Sequence, residues 1–245
     1  MKILVCITHV PDTTSKISFI EGDTQFDKTG VQYIIGPYDD FTLARAVELK
    51  DQTQGDITVI NVGTIESEPT IRKALAIGAD RAIRIDAEPV DALFVAEQIV
   101  GVAKEGAFDL ILMGRESIDY NGGVVHGMVG ELLGIPSVSP VMKLDIDGPI
   151  ARLEKVIDGG KQIIEVELPF VAGCQEPIAE WKIPNMRGIM QARSKPLEVK
   201  GTYSNEIGTT LIKHTLPVEK TGCKFIEADN VQELVDLLRN EAKVI

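Results

Sequence analysis

The sequence predicts an α/β protein: a parallel sheet covered on both faces by helices, then a small antiparallel extension. Three observations point there. Short apolar runs such as Ile3 to Ile7 and Phe108 to Met113 read as buried strands. They alternate with stretches whose apolar residues recur at helical spacing, the rhythm of strand–helix–strand units. From about residue 137 that rhythm gives way to strand after strand.

Each element has its own signal. Ile3 to Ile7 ends at polar Thr8 and His9. Residues 17–34 hold two β-prone stretches around Glu21-Gly22-Asp23, which predicts a hairpin. After Gly36-Pro37, residues Phe41, Leu43, Ala44, Ala46, Val47 and Leu49 recur at helical spacing, with Asp39 and Asp40 in the first turn, where negative charge suits the helix dipole. Asp56 to Val62 is the second strand. Ser67 can cap the next helix, with Pro69 just inside it and Gly78 after its last turn. Ala82 to Ile85 is a strand, Asp91 to Glu105 a helix closed by Gly106, and Phe108 to Met113 a strand. A glycine-rich loop leads into a helix ending near Leu133. Val138 to Leu144, Ala151 to Ile157 and Gln162 to Leu168 read as strands, with Asp158-Gly159-Gly160 as a hairpin turn. Leu168 to Ala172 returns to the central sheet. Residues 181–224 have few regular signals beyond a short strand at 208–215, and Asp229 to about Lys243 is an amphipathic helix carrying Val231, Leu234, Val235 and Leu238 on one face. The expected division is a domain over 1–182 and a more irregular segment over 183–245.

Composition excludes several classes. The 245 residues carry a net charge of −12, which argues against general binding to nucleic acid or an anionic membrane. The charge is uneven. Residues 181–224 hold eight Lys or Arg against three Glu, a net +5, leaving −17 for the remainder. Three cysteines (Cys6, Cys174, Cys223) and three histidines (His9, His126, His214) form no zinc-ligand spacing and no disulfide framework, so no metal is expected. No run of 18 apolar residues exists, and the N-terminal apolar run is too short for a signal-peptide core. The expected setting is a reducing compartment, the cytoplasm.

The strongest local feature follows the fourth strand of the sheet: Gly114-Arg115-Glu116-Ser117-Ile118-Asp119-Tyr120-Asn121-Gly122-Gly123-Val124-Val125. Ligands of open parallel sheets sit beyond the carboxyl ends of strands. Gly114 lets backbone approach closely, and Gly122-Gly123 opens a helix whose free N–H groups and dipole suit a phosphate. The same glycines also suffice for a tight connection with no ligand. The turn matches neither a dinucleotide fingerprint nor a P-loop. Cys6 to His9, Val62 to Thr64 and Gly36-Pro37-Tyr38-Asp39 lie at neighbouring strand ends and could wall a pocket for an adenosine, although each also reads as ordinary loop chemistry. Cys6 reads as a small core residue and His9 as a solvated loop histidine. No nucleophile elbow occurs, and no catalytic residue is assigned.

A third feature is Ile183-Pro184-Asn185-Met186-Arg187-Gly188-Ile189-Met190-Gln191-Ala192-Arg193. Its methionines and Ile189 are either simply buried or an adaptable docking face rimmed by cations. By itself the segment favours burial slightly.

In this order the features resemble the β (small) subunit of electron-transfer flavoproteins. The resemblance runs from Lys2 to about Val199 and includes Val10-Pro11-Asp12, Gly36 to Asp39, Thr70 to Arg81, Gly114 to Pro136, Val156 to Gly160, and Arg187 to Arg193. It implies a doubly wound sheet of the adenine-nucleotide α-hydrolase and universal-stress type, with a C-terminal arm on an α subunit. It also implies a heterodimer in which FAD lies mainly in the α subunit and AMP, or a second FAD in electron-bifurcating members, lies here. Partners implied are a flavin dehydrogenase, such as an acyl-CoA dehydrogenase, and a quinone reductase or other acceptor. The chain would be an electron carrier subunit and not an enzyme. Mapped here, nucleotide contacts fall on Cys6, on Gly36 to Asp39, on Val62 and on the Gly114–Val125 loop. The docking residue falls on Met186, within a segment that includes Arg187, Gly188, Ile189, Met190 and Arg193.

This chain departs from the family at three points. Gly123-Val124-Val125-His126 stands where AMP-binding members usually carry Asn-Gln-Thr-Gly, and the Asp-Thr-Ala-Gln-Val run of bifurcating members is also absent. The Val10-Pro11-Asp12-Thr13 start leans towards the bifurcating kind. Gly36 replaces a usual Asn. A stand-alone universal-stress-like nucleotide module is the remaining alternative, and the C-terminal 60 residues argue against it because a lone sensor needs no arm.

Overall fold

Ile3, Val5 and Ile7 point to one face of the central strand, while Leu4 and Cys6 point to the other. Both sets are buried, which is why the strand reads as a continuous apolar run. The computed structural model describes residues 1–219 and 222–245. In chain order its first elements are β1 (Lys2–Cys6), β2 (His9–Pro11), β3 (Phe19–Ile20), β4 (Gln25–Phe26), β5 (Tyr33–Ile35), α1 (Pro37–Thr53) and β6 (Asp56–Val62). Next come α2 (Glu68–Ile77), β7 (Arg81–Ile85), α3 (Ala92–Gly106), β8 (Leu110–Gly114) and α4 (Val125–Leu133). The chain continues through β9 (Ser137–Asp147), β10 (Ile150–Ile157), β11 (Gly160–Glu167), β12 (Phe170–Cys174), α5 (Met186–Ala192), β13 (Leu197–Lys200) and α6 (Val231–Asp236).

The main sheet has nine strands in the order β11-β10-β9-β12-β8-β1-β6-β7-β13. From β9 to β13 across the sheet every pair is parallel, and β9, β10 and β11 form the antiparallel extension. This is the α/β class that the sequence predicts. The turn at Asp158-Gly159-Gly160 joins β10 to β11, with Gly159 at φ 83°. Helices α1 and α2 cover one face with Leu43, Ala46, Leu49, Ile71 and Leu75. Helices α3 and α4 cover the other with Phe94, Ile99, Val102 and Val129. The chain winds outward from β1 through β6 and β7, then crosses back to β8 on the opposite side. The crevice between the ends of β1 and β8 is therefore the switch point of the sheet, where such folds take ligands.

Several elements differ from expectation. Ser67 precedes α2 but does not cap it; its hydroxyl donates to Thr64 O at 2.9 Å. Helix α4 begins at Val125, two residues beyond the expected glycine pair, because Gly123 takes φ +61° and breaks the helical path. No strand forms at 208–215. There Gly208 N and Thr209 N both donate to Asp91 Oδ2 at 2.7 Å, and His214 N donates to Asp23 O at 2.8 Å, so these donors serve no ladder. Instead β13, at 197–200, pairs parallel with β7 and extends the main sheet beyond residue 182. Four residues alternating with charge give too short a signal to read in advance. The terminal helix is α6, continued by a wider turn to Glu241, and Val231 and Leu234 on it are exposed.

Residues 200–209 lie along one face of α3. Lys200 pairs with Glu105 at 2.6 Å, and Tyr203 lies against Gly101, where a Cβ would fall inside its ring. Tyr203 N donates to Gln98 Oε1 at 2.7 Å, and Gln98 Nε2 donates to Ser204 O at 2.9 Å. Asp91 closes this track: its Oδ1 caps α3 at Phe94 N (2.8 Å) while Oδ2 receives Gly208 and Thr209. Asp91→Ala removes both functions. It should lower stability by about 1–2 kcal/mol, the usual cost of a lost helix cap, and open new protease cuts near 205–209. Urea unfolding and limited proteolysis of the parent and variant check this.

Candidate functional site

Three pieces of backbone meet at the switch point: the residue pair after β1, the last residue of β8, and the first turn of α1. Asp39 joins them. Its Oδ2 accepts from Thr8 N at 2.8 Å and from Thr8 Oγ1 at 2.6 Å, and its Oδ1 accepts from Gly114 N at 2.9 Å. The side chain is 3% exposed. Burial raises its pKa to about 6, against the three donated hydrogen bonds, which pull it down. Gly114 is small for the same reason: a Cβ there would come within 2.6 Å of Asp39 Oδ1 and 2.7 Å of Tyr38 Cβ. Gly36 is equally constrained, by Thr8 Oγ1 and Asp39. Among the residues mapped to the nucleotide, Asp39 thus has its carboxylate committed within the chain.

The Gly114–Val125 turn leaves β8 and reaches α4. Arg115 lies over the Tyr38 ring, 5.4 Å from its centroid, and its guanidinium also meets Gln175 Oε1 (3.0 Å) and Glu116 Oε1 (2.9 Å). Ser117 donates to Asp119, whose carboxylate also receives Tyr120 N at 3.0 Å. Burial raises the Asp119 carboxyl. Asn121 takes φ 50° and its N–H donates to Ser117 O at 2.7 Å. Beyond it the turn is open. Around Gly122 the nearest atom to an added Cβ would be its own neighbour Val124, and around Gly123 nothing comes nearer than 3.8 Å. No side chain caps α4, and the first N–H groups of a helix have no partner within it. A helix start of this kind, behind a glycine turn at a switch point, fits an anionic phosphate group.

The strand ends beside the turn are fixed by side chains that sequence reasoning missed. Arg84, 4% exposed, donates from Nη1 to Gly63 O at 3.0 Å and so holds the end of β6 where Val62 lies. A cation inside the apolar strand Ala82-Ile83-Arg84-Ile85 was the available signal. Asn61, also buried, donates to Ile7 O at 2.9 Å and joins β6 to β1. His9 is not a solvated loop histidine. It begins β2, stacks on Tyr33 with ring centroids 4.4 Å apart, and its Nδ1 is 2.7 Å from Thr70 Oγ1. Partial burial lowers its pKa. Cys6 and Cys174 are buried, free thiols; desolvation raises both, Cys174 to about 12, as suits core residues.

The second mapped segment folds as α5. Asn185 caps it, accepting from Gly188 N at 2.8 Å. Ala192 is buried, whereas Met186 and Met190 are 74% and 70% exposed and Ile189 is 40% exposed. The burial that the segment favours by itself is therefore limited to Ala192. Arg187, within α5, and Arg193, just past it, are exposed as well.

The largely parallel sheet, whose strand order reverses at β1, with helices on both faces defines the class: a doubly wound α/β protein. The description of the electron transfer flavoprotein domain matches residues 23–201. The chain is 34% identical over 259 residues to electron transfer flavoprotein subunit beta of Bacillus subtilis (strain 168), covering all of both chains. It is 32% identical to the protein of the same name from Syntrophomonas wolfei, over 100% of this chain and 98% of that one. It is 30% identical to that of Bradyrhizobium diazoefficiens over all of both. The chain belongs to the electron transfer flavoprotein family. Among the described residues, no helix is long and apolar enough to cross a membrane.

Asp39 gives the fold a pH dependence. Its folded pKa of about 6 lies above the value of about 3.9 in an unfolded chain. The folded state then holds the proton longer, so the contribution of Asp39 is greatest at low pH and declines as pH rises through about 6. Between pH 4.5 and 7.5 the unfolding free energy of the parent should fall relative to that of Asp39→Asn by about 2 kcal/mol. Paired urea titrations at the two pH values measure the difference, and a constant difference would count against a buried, titrating Asp39.

Proposed function

We propose that this chain is the β subunit of a heterodimeric electron-transfer flavoprotein. It completes the flavin site of a larger α subunit and docks a flavin dehydrogenase, such as an acyl-CoA dehydrogenase, whose electrons go on to a quinone reductase or similar acceptor. In this reading FAD, held mainly by the α subunit, supplies the redox chemistry. The residues of this chain position and shield; none breaks a bond. Residues 183–245 supply the docking helix and the arm that packs on the α subunit, whose exposed apolar residues include Val231 and Leu234. The observation that carries the reading is a pairing on one chain of this family. An uncapped helix start lies behind an open glycine turn, and α5 carries the exposed apolar side chains Met186, Ile189 and Met190.

In the crevice the chain would hold AMP. The α4 N–H groups would take the phosphate, and the ends of β1 and β6, with Cys6 and Val62, would flank the adenosine. Gly36 to Tyr38 would offer backbone and the Tyr38 ring, while the Asp39 carboxylate keeps them in place. The Val10-Pro11-Asp12-Thr13 start favours a second reading, an electron-bifurcating subunit holding a second FAD in the same place, while the loop at Gly123 to His126 fits neither kind. Purifying the chain with its co-expressed α subunit and counting flavin and AMP per heterodimer separates them. One FAD with one AMP supports the first, two FAD without AMP the second, and a yellow homodimer of this chain active in electron transfer overturns both.

Gly123→Asp puts a β-carbon on a residue at φ +61° and an anion against the phosphate position. Co-purified nucleotide should fall several-fold, read by chromatography of the denatured complex; unchanged content would move the phosphate elsewhere.

Met186→Glu tests docking. Burying a methionine at an interface is worth on the order of 1.5–3 kcal/mol, up to about a hundredfold in affinity. Reduction by the dehydrogenase should slow by about an order of magnitude or more. Reduction by dithionite, the flavin spectrum, nucleotide content and melting temperature should stay near the parent values, because the side chain is exposed.

A further inference from the structure

Helix α5 has seven residues, too few to persist by itself, and among them only Ala192 is buried. Something other than side-chain packing must hold it. Two cations do so by grasping backbone. Arg72, on α2, donates from Nη1 to Ala192 O and to Lys195 O, both at 2.8 Å, and so occupies carbonyls at the C-terminal end of α5. Lys195, just past α5, donates from Nζ to Leu75 O at 2.9 Å and to Ala79 O at 2.6 Å, at the C-terminal end of α2. Each helix thus ends on a cation supplied by the other segment, and a cation suits the negative end of a helix dipole. Gly188 completes the contact, since a Cβ there would clash with Ala76 O. Beyond the pair, Ala82 N donates to Pro196 O at 3.0 Å and ties the chain into β13.

We propose that Arg72 and Lys195 form a reciprocal latch whose function is to position α5 for docking, an assignment that rests on the docking reading above. Holding the helix by its main chain leaves Met186, Ile189 and Met190 free to face outward. It also removes in advance the ordering cost that a loose segment would incur on binding. Arg72 and Lys195 touch neither flavin nor partner in this scheme; they act through α5.

The test uses the heterodimer carrying Arg72→Met, Lys195→Met, Arg72→Lys or Met186→Glu. Amide hydrogen exchange in 186–195 should quicken by about tenfold or more in the two methionine variants, with β1, β6 and β8 unchanged. With an acyl-CoA dehydrogenase as electron donor, KM for the flavoprotein should rise several-fold while kcat holds, and Arg72→Lys should recover part of the loss. Met186→Glu should raise KM without changing the exchange. Unchanged exchange in 186–195, or a rise spread evenly over the sheet, overturns the latch. Quickened exchange with an unchanged KM, where Met186→Glu does raise it, overturns its part in docking. If Met186→Glu also leaves KM unchanged, the docking reading fails, and the exchange data alone decide whether the latch exists.

Discussion

Everything at the carboxyl edge of the sheet depends on how Asp39 is held. A switch point brings together strand ends far apart in sequence, and the ladder between β1 and β8 stops at Val5 and Leu112, short of Thr8 and Gly114. Here a single buried carboxylate bridges the gap, receiving three hydrogen bonds from Thr8 and Gly114 while sitting in the first turn of α1. The cost is desolvation of a charge, visible in the raised pKa of the group. The gain is geometric: β1, β8 and α1 share one fixed point, and both Gly36 and Gly114 must lack a side chain to let it form. A site preorganised in this way needs no rearrangement to accept a ligand.

The same device recurs away from the crevice. Irregular backbone cannot satisfy its own polar groups, so long-range side chains do it. Arg45, 9% exposed, reaches Leu144 O on the antiparallel extension and ties α1 to it. Arg84 holds Gly63 O, Asp91 gathers Gly208 and Thr209, and Arg72 with Lys195 couples α2 to α5. These contacts link residues far apart in sequence, and all but that of Arg45 sit at or near the ends of regular elements. They turn the ends of a sheet into surfaces with fixed shape.

Charge is distributed to match. Residues 181–224 carry +5 while the rest of the chain carries −17, so α5 lies within a cationic stretch of an acidic protein. In the proposed docking, such a contrast would steer an acidic partner towards α5, over a reach of about a Debye length at physiological salt. The exposed Met186, Ile189 and Met190 would then supply affinity at short range, where water is excluded.

The sequence by itself determined the sheet and its helices. Alternating periodicities located β1, β6, β7 and β8, and Pro and Gly punctuation located the starts and ends of α1 and α2. These signals are legible because burial on both faces imposes a continuous apolar run, and helix ends have local chemical requirements. The glycine turn and the methionine segment were legible as unusual composition, but not as buried or exposed. Tertiary structure decided that Met186 and Met190 face outward, that β13 lies at 197–200 and no strand at 208–215, and that His9 is stacked on Tyr33. It also decided the roles of Asp39, Arg84, Arg72 and Lys195. Each of those depends on a partner more than twenty residues away, and periodicity reports only neighbours along the chain. Where a side chain's job is to satisfy a distant carbonyl or amide, only the fold that brings the two together can reveal it.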